Sequence, residues 1–302
     1  MKALITGGTN GMGKGVAIAL AGTGKGDNEI ILLCRSKELG EATIKEIESL
    51  TGNKKTTLVI CDLARLRDVR SAISEIKSRH DSLDCIFVNA GLGYARERVE
   101  TEDRMDPHFQ VNYLSHFMLI LNMLSLLEKS DKGGRVIFNV TRGGEIFWDD
   151  IQMNKKWGFE DGVHQAMTAK RMMIVKLHDL YSAANAPKVS FTGFEIPKTV
   201  WSNQLTIIPA GMKMMATIMR FFGTFISIEK CGEIMAPLFT ESREESLGRS
   251  GKFVTSKNNR FTGMNEKEML FKPGYVDKLW KISLDLCNDA ATYQVSENLH
   301  WR

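Results

Sequence analysis

Six short runs, at 3–6, 29–34, 57–61, 85–89, 135–140 and 188–194, are apolar along most or all of their length. Between them, at 13–21, 36–50, 66–79, 109–128 and 163–184, apolar residues recur every three or four positions. The short runs predict strands covered on both faces, and the longer segments predict helices with one buried side. Their alternation implies right-handed crossovers and an α/β fold: a doubly wound parallel sheet of Rossmann-like type. After residue 195 the rhythm changes. Residues 209–222 contain Met212, Met214, Met215 and Met219, then Phe221 and Phe222. A helix is predicted over 228–241, a last strand over 252–255 and a last helix over 275–288, whereas 289–302 shows no clear period. No repeat, low-complexity tract or Pro/Ser-rich linker divides the chain, so residues 1–302 are read as a single domain.

Composition narrows the function classes. With 302 residues, 43% hydrophobic and 25% charged, the chain can bury a sizeable core and does not read as disordered or as a small disulfide scaffold. Its net charge of +4, without a basic block, makes nucleic acid an unexpected partner. Cys34, Cys61, Cys85, Cys231 and Cys287 form no C-x-x-C pair, so neither a zinc ribbon nor a thioredoxin-type motif is expected, and no metal site is proposed. Three of the five lie in strand-like runs, where a free thiol behaves as a small hydrophobe, and a reduced, cytoplasmic setting is expected. The first strand is read as beginning almost at Met1, so no signal peptide is expected in this sequence. No apolar stretch reaches the roughly 18 residues that span a bilayer.

The candidate chemistry begins at Thr6-Gly7-Gly8-Thr9-Asn10-Gly11-Met12-Gly13, a glycine-rich turn leading from the first strand into the first helix. Gly7 permits a tight turn, Gly11 lets the backbone approach a pyrophosphate, and Gly13 lets the helix pack against the sheet. Unpaired N–H groups and the helix dipole then favour the anion. Gly7, Thr9, Asn10, Gly11 and Met12 are the expected contacts. The bland alternative is a purely structural turn. A dinucleotide site for NAD usually has an acid at the end of the second strand. Here that strand ends Cys34-Arg35-Ser36, so Arg35 and Ser36 point to the 2′-phosphate of NADP(H), unless Arg35 merely opens a solvated helix.

With these motifs in order, residues 2–205 resemble a short-chain dehydrogenase/reductase. Thr6–Gly13 matches the family's T-G-x-x-x-G-x-G motif. Asp62-Leu63 resembles its D-[LV] pair beside the adenine, and Asn89-Ala90-Gly91 its N-A-G motif. Asn112 stands where the family keeps a helix asparagine that bends the helix and holds a water near the catalytic lysine. The tail resembles, more loosely, retinol-dehydrogenase-like and protochlorophyllide-reductase-like members. The resemblance implies seven strands and a cofactor site completed by Lys170, with Val200 and Ser202 contacting the carboxamide. Lys198 stands where that last segment normally has glycine.

The resemblance fails at the chemistry. The family's catalytic serine position holds Arg142, and the tyrosine of Y-x-x-x-K is Ala166, while Lys170 keeps the lysine position. In the family that tyrosine protonates the carbonyl oxygen as hydride arrives, and general acid catalysis is typically worth about 10²- to 10⁴-fold. Arg142 would stabilise a developing oxyanion or enolate, pair a substrate carboxylate, or pair Asp161. His164 reads as a surface or capping residue, Thr141 as structural, and Tyr94 as a loop residue that could approach the nicotinamide. The expected catalytic set is thus Lys170, Asn112 and Arg142.

The function expected is an NADPH-dependent reductase with an atypical site. It would transfer hydride to a carbonyl or activated double bond of a large apolar, aromatic or polycyclic small molecule. A neighbouring phenol of such a substrate would supply the missing proton, and a Met-rich lid at about 197–226 would cover it. Two alternatives stay open: a non-catalytic NADP(H)-binding sensor, scaffold or partner subunit, and a non-redox catalyst on the same scaffold. Helices 109–128 and 163–184 would serve a homo-oligomer, or simply be core.

Overall fold

The computed structural model describes residues 1–183, 187–201, 214–215, 217, 224–257, 260–264 and 272–300. The apolar runs become β1 (Lys2–Thr6), β2 (Glu29–Cys34), β3 (Thr56–Ile60), β4 (Cys85–Val88), β5 (Gly134–Asn139) and β6 (Val189–Glu195). They pair in parallel in the order β6-β5-β4-β1-β2-β3. The crossovers are α1 (Gly11–Gly22), α2 (Lys37–Thr51), α3 (Leu66–Arg79), α5 (Ser115–Leu127) and α6 (Phe159–Ser182). A short α4 (Pro107–Phe109) and a π-helical turn (Gln110–Leu114) lead into α5. Successive side chains leave a strand on opposite faces. Accordingly Leu4, Ile31 and Leu33 enter one core layer, and Ala3, Ile5, Ile30 and Leu32 the other. Double burial is why these strands read as continuous apolar runs.

The expected seven strands of the main sheet are corrected to eight among the described residues. After β6 come β9 (Phe253–Lys257), parallel to β6, and β10 (Arg260–Gly263), which turns back antiparallel on β9. β10 is a polar edge, half-buried at most, and has no apolar run to betray it. A separate pair, β7 (Thr199–Val200) with β8 (Phe225–Ile226), joins the two ends of the segment expected to act as a lid. Of its interior, only Trp201, Met214, Met215, Thr217 and Thr224 are among the described residues, and Met214 and Met215 are exposed.

The C-terminal region follows as α7 (Ile228–Thr240), α8 (Arg243–Arg249), α9 (Tyr275–Cys287) and α10 (Ala290–His300). The last of these occupies a stretch without a clear period. Its apolar side is thin, and polar contacts hold it instead. Asp289 accepts from the Thr292 backbone N–H at 2.9 Å, Asn122 donates to the Thr292 hydroxyl at 2.9 Å, and Trp280 Nε1 donates to Ser296 at 2.8 Å. α9 and α10 lie over α5 and α6, with Trp280 edge-on to Phe117 at 4.9 Å and Tyr113 bonded to Ser283 at 2.7 Å. Every residue of α5 except Ser125 is buried. The chain's own C-terminal helices therefore cover α5 and part of α6, the faces left open above for subunit pairing.

α1 and α7 cross at glycine. A Cβ at Gly15 would sit 2.1 Å from the Ile228 carbonyl oxygen, and one at Gly232 would sit 2.2 Å from the Gly15 carbonyl oxygen. This contact sets the height of α1, and so of the turn that precedes it.

Candidate active site

A crevice of about 560 Å³ opens at the C-terminal ends of the strands. It lies where the chain order reverses about β1, with β2 and β3 to one side and β4, β5 and β6 to the other. In doubly wound sheets this is where ligands bind. On the β2–β3 side the walls include Arg35, Asp62 and Leu63; on the other, Asn112, Asn139, Thr141, Lys170 and Val200. The glycine turn forms the floor between them.

That turn is shaped for a close-lying anion. Gly7 takes φ +68°, and a Cβ at Gly13 would fall 2.3 Å from the Gly7 carbonyl oxygen. Asn10 caps α1, accepting from the Gly11 N–H at 2.8 Å. The Thr6 hydroxyl accepts from the Asn89 and Ala90 N–H groups at 2.9 and 3.0 Å, locking β1 to the Asn89-Ala90-Gly91 turn. His116 lies behind it, 3.1 Å from the Thr6 hydroxyl. Burial first, then the nearby Lys170 cation, push the His116 imidazole down to about 3, so it is neutral at ordinary pH.

Asn112 lies in the π-helical turn. Its side chain accepts from the Leu92 N–H at 2.6 Å and donates to the Leu92 carbonyl at 3.0 Å. Helix irregularities of this kind often mark functional positions. Lys170 Nζ is buried and donates to the Asn139 carbonyl at 3.2 Å. Burial alone pushes its ammonium down to about 7. The buried Asn139 Oδ1 has no hydrogen-bond partner and lies in the crevice wall.

The residues expected at the site divide clearly. Gly7, Thr9, Asn10, Gly11, Met12, Arg35, Asp62, Leu63, Asn89, Ala90, Gly91, Asn112, Lys170 and Val200 all line the crevice. Ser36 does not, being engaged as the N-cap of α2. Ser202 lies outside the described residues. Arg142 is exposed, is not on the crevice wall and makes no ion pair with Asp161. Its neighbours explain this: Thr141 O accepts from Arg171 at 2.8 Å, and Gly144 N–H donates to the Thr168 hydroxyl at 2.8 Å, so the loop is tied to α6 on either side. Thr141 lines the crevice although strand alternation pointed it away, because β5 ends at Asn139 and alternation stops there. His164 is half-buried and off the wall. The residues beside Lys170 on α6 that do reach the wall are Val163 and Met167, while Ala166 packs inward.

None of the five tyrosines lines the crevice. Tyr94 stacks edge-on to Phe159, Tyr113 bonds Ser283, Tyr181 bonds Glu128, Tyr275 stacks on Trp148, and Tyr293 bonds Asp285. His116 and Asn139 escaped the sequence reading as functional positions. The available signals were a histidine in an otherwise apolar helix and the asparagine closing β5.

A short chain dehydrogenase family model matches residues 1–147. Over this N-terminal stretch, just under half its length, the chain is similar to short-chain dehydrogenases. It is 33% identical over 156 residues to the polyprenol dehydrogenase of Danio rerio, covering 50% of this chain and 47% of that protein. To human retinol dehydrogenase 13 it is 34% identical over 152 residues, covering 49% and 44%. The chain thus spans about half the length of these relatives. Among solved structures it resembles the L-sorbose reductase of Gluconobacter frateurii in complex with NADPH and L-sorbose, with TM-score 0.63, 16% identity and coverage of 85% and 94%. It also resembles the 3-ketoacyl-(acyl-carrier-protein) reductase of Brucella melitensis in complex with NADH, with TM-score 0.62, 17% identity and coverage of 84% and 95%. At such identities the structural likeness speaks for the fold.

Proposed function

We propose that this chain is an NADPH-dependent reductase acting on a carbonyl or activated double bond of a large apolar or polycyclic molecule. Arg35 carries the cofactor choice. It lines the crevice beyond the glycine turn and makes no ion pair or hydrogen bond among the described residues, leaving a guanidinium for a 2′-phosphate. The glycine turn and the α1 N-terminus would hold the pyrophosphate. Asp62 and Leu63 would flank the adenine, and Lys170 with the Asn139 side chain would meet the nicotinamide ribose. When bound, the dinucleotide supplies hydride.

On the substrate side, Val163 and Met167 give the wall beside Lys170 an apolar character. Relatives named for polyprenol and retinol, both apolar alcohols, support an apolar substrate. Five buried free thiols suit a reduced, cytoplasmic setting. A fluorescence titration tests the cofactor assignment: NADPH should bind at least tenfold tighter than NADH, and Arg35→Asp should abolish that preference. Equal affinities in the parent protein would refute it.

A second reading, a non-catalytic NADP(H)-binding protein, draws on the inward-packed Ala166 and the outlying Arg142. NADPH oxidation against quinones, polycyclic ketones and enones separates the two. Turnover that appears only in the double variant Ala166→Tyr/Arg142→Ser would favour the binding protein.

A further inference from the structure

We propose that Lys170 is the proton donor of this site, its Nζ–H serving where the tyrosine hydroxyl is missing. The inference rests on the reductase reading above and adds the acid which that reading lacks.

Arg35 and Asp62 follow β2 and β3, across β1 from the catalytic side. On the β4–β5–β6 side, Lys170 is, among the described residues, the lining side chain able to exchange a proton near neutral pH. All five tyrosines are engaged elsewhere. His116, facing Lys170 from α5, stays neutral and is bonded to Thr6. Arg171, next along α6, turns to the Thr141 carbonyl and Glu195. No carboxylate faces Nζ among the described residues, so burial acts on the ammonium without relief.

Geometry supplies the rest. The Asn139 carbonyl takes one N–H at 3.2 Å and fixes the head group at the wall, and the other two N–H groups have no partner among the described residues. An ammonium lowered to about 7 is matched to proton transfer at neutral pH. As hydride from a reduced nicotinamide dinucleotide adds to the carbonyl carbon, the C=O π pair moves to oxygen. That oxygen takes a proton from Nζ. The N–H bond breaks, its pair stays on nitrogen, and the neutral amine keeps its hydrogen bond to Asn139. Water in the crevice then restores the ammonium.

The test has two arms. Without cofactor, ¹⁵N-lysine NMR of the intact protein, assigned against Lys170→Arg, should show a side-chain amine titrating near neutral pH. A midpoint close to 10 would overturn the proposal. With NADPH and phenanthrenequinone as the probe substrate, single-turnover hydride transfer should fall as pH rises through that same midpoint. Lys170→Arg, whose guanidinium keeps its proton and can still donate to the ribose, is compared at saturating NADPH so that any loss of cofactor affinity is read separately. Its hydride transfer should be about 10²- to 10⁴-fold slower, with the pH dependence gone. A Lys170→Arg variant with full rate and an unchanged pH profile would overturn the donor role alone, as would collapse confined to Thr141→Val. NADPH binding without turnover of any probe would remove the reductase reading, and this proposal with it.

Discussion

Gly232→Ala tests whether the α1–α7 crossing holds the phosphate turn in place. The added methyl would meet the Gly15 carbonyl oxygen at 2.2 Å and the Gly15 carbonyl carbon at 2.7 Å. Both are backbone atoms of a helix and cannot swing aside. Restoring an ordinary contact of 3.4 Å requires the helices to part by roughly 1 Å. Overpacking of this kind costs about 1–3 kcal/mol, and rigid backbone on both sides puts this site near the upper figure. At about 2–4 °C per kcal/mol for a large domain, Tm should drop by roughly 6–12 °C. Because α1 carries the turn at its N-terminus, NADPH affinity should weaken as well. Differential scanning fluorimetry with and without NADPH reads both effects. Gly248→Ala is the control: nothing lies within 4 Å of its Cβ position in α8, so Tm should hold or rise slightly. A Gly232→Ala protein that melts and binds NADPH like the parent would refute the claim that this crossing is close-packed through glycine.

Lys170→Met should stabilise the fold by up to a few kcal/mol at pH 7 while removing activity, because it deletes a buried charge. The sign follows from a folded value of about 7 set below the ordinary 10.5: the unfolded chain binds more protons between these limits. Parent stability should therefore rise with pH across that window, and the advantage of Lys170→Met should shrink, as read by urea titrations at several pH values. His116, lowered from 6.5 to about 3, works likewise at acid pH, so stability should fall as pH drops through that range and His116→Gln should flatten the profile. Tyr113→Phe removes the bond to Ser283 and should cost about 1 kcal/mol in chemical denaturation. Ending the chain at residue 288 removes α10 with its bonds from Asn122 and Trp280, and differential scanning fluorimetry should then show a lower Tm than that of the 302-residue chain.

Much of this architecture was legible before any coordinate. β1 to β6 fall within a residue or two of their apolar runs, since a strand buried on both faces must be apolar throughout. The glycine turn was legible because few residues other than glycine tolerate its φ values and close contacts. β10 and α10 were not. β10 is held by hairpin pairing to β9, and α10 by a local cap at Asp289 and a bond from the distant Asn122, so neither carries a strong period of its own.

By itself, then, the order of residues determined the doubly wound sheet and the glycine turn at the floor of its crevice, and it set the expectation that the usual tyrosine and serine are replaced. Only the tertiary structure decided which side chains face one another. It left Arg142 outside the crevice and Thr141 on its wall, and it drew all five tyrosines elsewhere. It also buried Lys170 against the Asn139 carbonyl with no carboxylate near it among the described residues. The physical reason is that spacing along a chain encodes local periodicity. The solvation and partners of an ionisable group depend on residues dozens of positions away, and these meet only when the sheet closes.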